Sequence, residues 1–162
     1  MGGNLCGAST GEALSRWCAA AIGNNALADF ASAPTWAQQG MPDFVNKTDP
    51  TDQNPTSTGC GMAFLSWLMH LGFTLDRIAP SMVKRGTSGT LAQLYASLTL
   101  GAQSDAWPKF LAAARALPRI INDDPFGAKA GAVKKRIASL RVNRTPESKK
   151  TVRGKARRSA RR

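Results

Sequence analysis

The sequence predicts an all-α protein: a compact bundle of about five helices with one long Pro-rich loop, followed by a basic, mostly disordered tail. Three observations carry that expectation. Apolar residues recur at helical spacing between recognisable start and stop signals. There is no alternating run of β-branched residues and no Asn-Gly hairpin signal. The charge is also segregated. Up to Pro118, seven Lys/Arg balance seven Asp/Glu, whereas residues 119–162 carry fifteen Lys/Arg against three Asp/Glu. The whole net charge of +12 therefore sits in the last 44 residues. With 162 residues and 43% apolar content, the chain can bury one ordinary core, assigned to a helical domain over 1–118.

Each element has its own signals. Ser9 and Glu12 fit a capping box, with Leu14, Trp17, Cys18 and Ala21 at helical spacing behind it. Gly23 is expected to close that first helix in a left-handed conformation. From about Asp29 to Ser57, Pro34, Gly40, Pro42, Pro50 and Pro55 punctuate a long loop, anchored by Phe30, Trp36, Met41, Phe44 and Val45. The second helix is expected from Gly59 to Leu71, capped by Ser57 or Thr58 and stopped by Gly72. It is apolar on nearly every side, as in a helix buried among others. Thr74 caps a short third helix, Leu75 to Ala79, limited by Pro80. After a break at Gly86–Gly89, Thr90 to Leu98 forms a fourth with Leu91, Leu94, Tyr95 and Leu98 on one face. Ser104 or Asp105 caps a fifth, in which Pro108 is tolerated within the first turn. Its inward stripe is Phe110, Leu111, Ala114 and Leu117, and Pro118 ends it.

The tail over 119–162 reads differently. A basic helix is expected over 126–142, with Val133, Ile137 and Leu140 opposite Lys134, Lys135, Arg136 and Arg141. The remainder is too polar to fold alone. Lys134, Lys135, Arg136, Lys149, Lys150, Arg153, Arg157 and Arg158 are candidate contacts to nucleic acid or another anionic surface, giving salt-sensitive and sequence-independent attachment. Aromatic residues to stack on bases are missing, since the tail has only Phe126. The same Arg/Ala/Ser/Gly composition also arises when a GC-rich gene is read out of frame, so a functionless terminus stands beside the binding reading. The start lacks the basic and apolar regions of a signal peptide, which points to the cytoplasm if Met1 is the true start and otherwise leaves the compartment open. The longest apolar-rich stretch, 62–71, is far short of the ~20 residues a membrane span needs, so no transmembrane segment is expected.

Few residues invite chemistry. Cys6, Cys18 and Cys60 show no C-x-x-C pairing and read as free thiols, with a Cys6–Cys60 or Cys6–Cys18 bridge open to an exported protein. Cys60 falls at an expected helix start, where a thiolate is favoured. The single histidine, His70, lies ten residues on, ~15 Å away along one helix and off the Cys60 face. A Cys-His pair within the chain is therefore not expected, and Cys60 reads as a small residue that permits close packing. One histidine and three scattered cysteines lack the paired spacing of a structural zinc site. Asp43, Asp49 and Asp52 read as turn formers. No phosphate-cradling glycine motif occurs. No catalytic residue, metal or cofactor is assigned from these patterns.

Six segments occur in a telling order: Gly11-Glu-Ala-Leu-Ser-Arg16, Pro42-Asp-Phe-Val-Asn46, Thr48-Asp-Pro-Thr-Asp52, Gly59-Cys-Gly-Met-Ala-Phe-Leu, Leu71-Gly-Phe-Thr-Leu75 and Thr90-Leu-Ala-Gln-Leu-Tyr-Ala-Ser-Leu-Thr99. Over residues 5–117 they resemble the C-terminal half of a bacterial protein family distantly similar to zincin-type metallopeptidases. The resemblance implies a preceding helix bearing the metal histidines and catalytic glutamate of an H-E-x-x-H motif, which this sequence does not contain. Glu12 would take the place of a third, downstream ligand, left vestigial without the histidine pair. What it implies here is a truncated, non-catalytic homologue. Missing helices would leave Trp17, Phe64 and Trp67 exposed and favour self-association.

Overall fold

The computed structural model describes residues 5–23, 27 and 31–127. Among them are six α-helices and a short 3-10 turn over Gln103–Asp105, with no β-strand. The helices are α1 (Ser9–Ile22), α2 (Ser32–Gln38), α3 (Pro55–His70), α4 (Leu75–Arg85), α5 (Leu91–Thr99) and α6 (Ala106–Arg115). The all-α body expected from the sequence is the fold observed. No helix among the described residues is long and apolar enough to cross a membrane.

α3 is the axis of the body. Every residue from Ser57 to Leu68 is buried, as its all-round apolar character requires. It packs chiefly against α1 and α2 and more lightly against α5 and α6. It starts four residues earlier than the sequence suggests. Asn54, not Ser57 or Thr58, is the cap, accepting the Thr56 N–H at 3.0 Å. Pro55 occupies the first helical position, where its missing N–H costs nothing. The C-terminal end forms a Schellman turn. Gly72 adopts φ 101°, the Phe73 N–H donates to the Leu68 carbonyl, and the Gly72 N–H donates to that of Met69.

Two glycines let the neighbouring helices close on α3. A Cβ at Gly59 would lie 1.9 Å from the Ser32 carbonyl oxygen of α2, and one at Gly61 would lie 2.8 Å from the Ala13 Cβ of α1. α2 itself corrects the long-loop expectation, which spanned it. Pro34 falls in the first turn, where a proline needs no donor, and Trp36 is fully buried. The irregular loop is thereby shortened to 39–54. It knits two helix starts together: the Ser9 N–H of α1 donates to the Asp49 carbonyl, and the Ala92 N–H of α5 donates to that of Val45.

Other boundaries shift for identifiable reasons. In α1 the Ser9–Glu12 capping box does not form; Ala8 is the N-cap and Glu12 turns to Arg16 instead. Gly23 closes the helix in an extended conformation rather than the left-handed one. α4 runs through Pro80 to Arg85, with Gly86 as its C-cap. Asp76, whose carbonyl loses its partner to Pro80, lies on the exposed face, and burial of Ile78 and Met82 outweighs the break. α5 follows its signals, with a complete Thr90–Gln93 capping box and Leu91, Leu94, Tyr95 and Leu98 all buried. α6 buries Phe110 and Ala114 from its expected stripe and only partly covers Leu111 and Leu117.

An aromatic cluster closes the core between α2, α3, α5 and α6. Trp36 stacks on Phe110 at 5.3 Å, Phe64 meets Phe110 edge-on at 5.1 Å, and Trp67 stacks on Tyr95 at 5.6 Å. Trp17 and Trp36 each donate their indole N–H to a backbone carbonyl, Met62 and Pro42 respectively. Trp17, Phe64 and Trp67 are thus core residues, at most 5% exposed, and not the open apolar surface anticipated for self-association. Among the described residues, the large exposed apolar side chains are instead Ile22, Leu71, Val83, Leu100 and Ile121.

The packed body continues past Pro118. Residues 119–127 cross its surface with Ile120 and Phe126 against the core and Asp123 fully buried. Phe126 sits in a turn. Gly127 is not helical either, and residues 128–142 of the expected 126–142 helix lie outside the described residues.

Candidate functional site

The residues that invited chemistry are placed apart. Cys60 is the sixth residue of α3, one and a half turns inside the helix, because the helix starts at Pro55. The start-of-helix condition for a reactive thiolate is therefore not met. Burial pushes its thiol up to about 12, opposed by the Phe44 backbone and aided by the Asp43 charge. His70 is exposed at the far end of α3, its ring 5.9 Å from that of Phe126. Cys6 is exposed, Cys18 half-buried and Cys60 buried. Asp43 behaves as a turn former: one carboxylate oxygen accepts the Val45 and Asn46 N–H groups and the other the Asn46 side-chain amide. Asp49 accepts from the Asn54 side chain and Asp52 from that of Gln53. Among the described residues, no three His, Cys, Asp or Glu side chains converge as a metal-holding group.

The polar cluster that does form was not foreseen, apart from Glu12. Glu12 Oε1 accepts from Arg16 Nε at 2.8 Å, the i,i+4 geometry of a helical ion pair. Arg16 Nη1 donates to Ser32 Oγ at 2.6 Å and lies 3.9 Å from Asp123 Oδ2, an ionic contact beyond hydrogen-bonding distance. Asp123 Oδ1 accepts the Ala33 N–H at 2.6 Å, so a residue ninety positions away caps α2. The carboxyl is fully buried, and desolvation raises its pKa above the ordinary aspartate value. The Ala33 amide, the Arg16 charge and the Ser32 amide oppose that rise. One residue along, Ser66 Oγ of α3 donates to Asp124 Oδ1 at 2.6 Å and accepts the Phe126 N–H at 3.1 Å.

These groups form a clamp between α1, α2, α3 and residues 119–127. One sequence signal could have found it. Asp123 and Asp124 are two of only three carboxylates in a segment with fifteen cations. A small cavity lined by Leu5, Thr10, Met82, Arg85 and Leu91 among others has about 10 Å³, room for a single water molecule. Lys134, Lys135, Arg136, Lys149, Lys150, Arg153, Arg157 and Arg158 lie outside the described residues.

Comparison of the chain with protein families, with curated proteins and with solved structures finds no match.

Proposed function

We propose that the body is a non-catalytic helical domain of the peptidase-like kind its motifs resemble, acting through binding rather than turnover. The observation that carries this reading is the engagement of Glu12. The carboxylate that the resemblance would assign to a metal is held by Arg16, which also reaches Ser32 and Asp123. Its work is structural: it orients a guanidinium that joins two helices to the C-terminal segment. The test is to incubate the purified chain with zinc and an unstructured protein substrate. No turnover is expected, and Glu12→Ala should change only stability, by about 1 kcal/mol for a partly exposed ion pair. Zinc-dependent proteolysis that disappears in Glu12→Ala would overturn the reading.

A second reading rests on the charge segregation. The region up to Pro118 is neutral, and the entire +12 follows it. This pattern supports attachment to nucleic acid through residues 119–162, with the phosphate backbone as the contact. Binding to duplex DNA at low salt should persist in a peptide of residues 119–162 and vanish at high salt. No binding at low salt would end this reading.

A further inference from the structure

Residues 119–127 have no helix or strand of their own. Their internal hydrogen bonds include Asp124 N–H to Asn122 Oδ1 and Gly127 N–H to the Asp124 carbonyl. They are nevertheless held at fixed register by four other elements. Asp123 meets the start of α2 and Arg16 of α1. Asp124 and the Phe126 amide share Ser66 of α3. The Phe126 ring lies against Phe110 of α6, at 6.4 Å, and His70 of α3. Three side chains within four residues, those of Asp123, Asp124 and Phe126, thus go to separate receptors, one buried and polar, one at a hydroxyl, one aromatic. An extended peptide is recognised by a groove in the same way: hydrogen bonds set the register and pockets take chosen side chains.

The geometry points to a peptide-docking groove formed by Arg16, the start of α2, Ser66, His70 and Phe110, which recognises an Asp-Asp-Pro-Phe segment. Residues 120–126 fill it in cis, and the same segment of a second copy of this chain fills it in trans. The connection that permits exchange is present. α6 ends at Arg115, and Ala116, Pro118 and Arg119 are exposed before Ile120 returns to the core. Swapping the segment between copies re-forms every contact just described, which makes it an inexpensive route to a dimer. Tethering gives the cis segment a millimolar effective concentration, so exchange grows with protein concentration. This inference is independent of both functional readings above.

Vacating the groove tests it. The full chain carrying Asp123→Ala and Phe126→Ala is titrated into a fluorescent peptide with the sequence of residues 119–127. The titration is run in about 0.5 M salt, which suppresses attraction to the basic tail. Binding at least tenfold tighter than to the unsubstituted chain is expected, because the tethered competitor is gone. Equal affinity, or no binding to a variant that keeps its helical circular dichroism, would overturn the proposal. Should that variant not fold, a protease site is placed between Pro118 and Arg119 of the otherwise unchanged chain. After cleavage, the released segment should co-elute with the body at tens of micromolar and be displaced by excess peptide. A segment that elutes alone, or that the peptide fails to displace, would overturn it.

Discussion

Cys60 shows how one residue's chemistry follows from where a helix begins. In α3 it is flanked by Gly59 and Gly61, the two glycines that let α2 and α1 come close, and its thiol meets the Phe44 backbone of the 39–54 loop. With its pKa pushed up to about 12, the thiolate, which is the reactive form, is scarce near neutral pH. Cys6 is exposed and Cys18 partly buried. Titrating the native chain with a chromogenic disulfide at pH 8 should therefore modify Cys6 first, then Cys18, and leave Cys60 silent until denaturant is added. Modification of native Cys60 as fast as a free thiol would place it at a surface and refute the buried assignment.

Among the elements, the legible ones were those whose signals are local. Thr90 and Gln93 form their capping box within four residues, so α5 could be read directly. The apolar surround of α3 made its burial readable for the same reason. α2 could not be read, because its cap is Asp123 and its seven residues contain a proline that suggests a loop. Likewise Pro55 suggests a break yet starts a helix, since only the presence of Asn54 one residue earlier distinguishes the two. The α2–α3 contact gives an element-scale prediction. Glycine to alanine inside a helix ordinarily stabilises by about 0.5–1 kcal/mol. At Gly59 the new Cβ would meet backbone atoms of Ser32 and Ala33, which cannot move aside as a side chain can. Gly59→Ala should therefore destabilise by about 3 kcal/mol, an overpacking cost, read as a lower urea midpoint. Gly61→Ala meets the Ala13 Cβ at 2.8 Å and the Ser9 carbonyl only at ordinary contact distance, and should cost less. A neutral or stabilising Gly59→Ala would mean that α2 does not press on α3 so closely.

At the scale of the whole molecule, the body is closed by a segment that composition assigns to the tail. Asp123 and Asp124 belong to the basic stretch by sequence and to the core by contact. Charge counting could not separate the two, because it averages over 44 residues whereas docking depends on four. That placement has a consequence for stability. Burial raises the Asp123 pKa in the folded state above its unfolded value, so the folded chain holds that proton more tightly. Linkage then fixes the sign. Where the folded state binds more protons, stability falls as pH rises. Asp123 therefore favours the folded state most below its unfolded pKa, and its contribution is lost as pH climbs from near 4 through the folded value. Asp123→Asn keeps an oxygen for the Ala33 N–H but cannot ionise. Relative to the unsubstituted chain, its urea midpoint should rise as pH is taken from 4 to 7, since only the aspartate form must bury a charge over that range. The opposite trend would mean that Arg16 and the Ala33 amide outweigh desolvation, and that residues 119–127 are held by an ion pair rather than by burial.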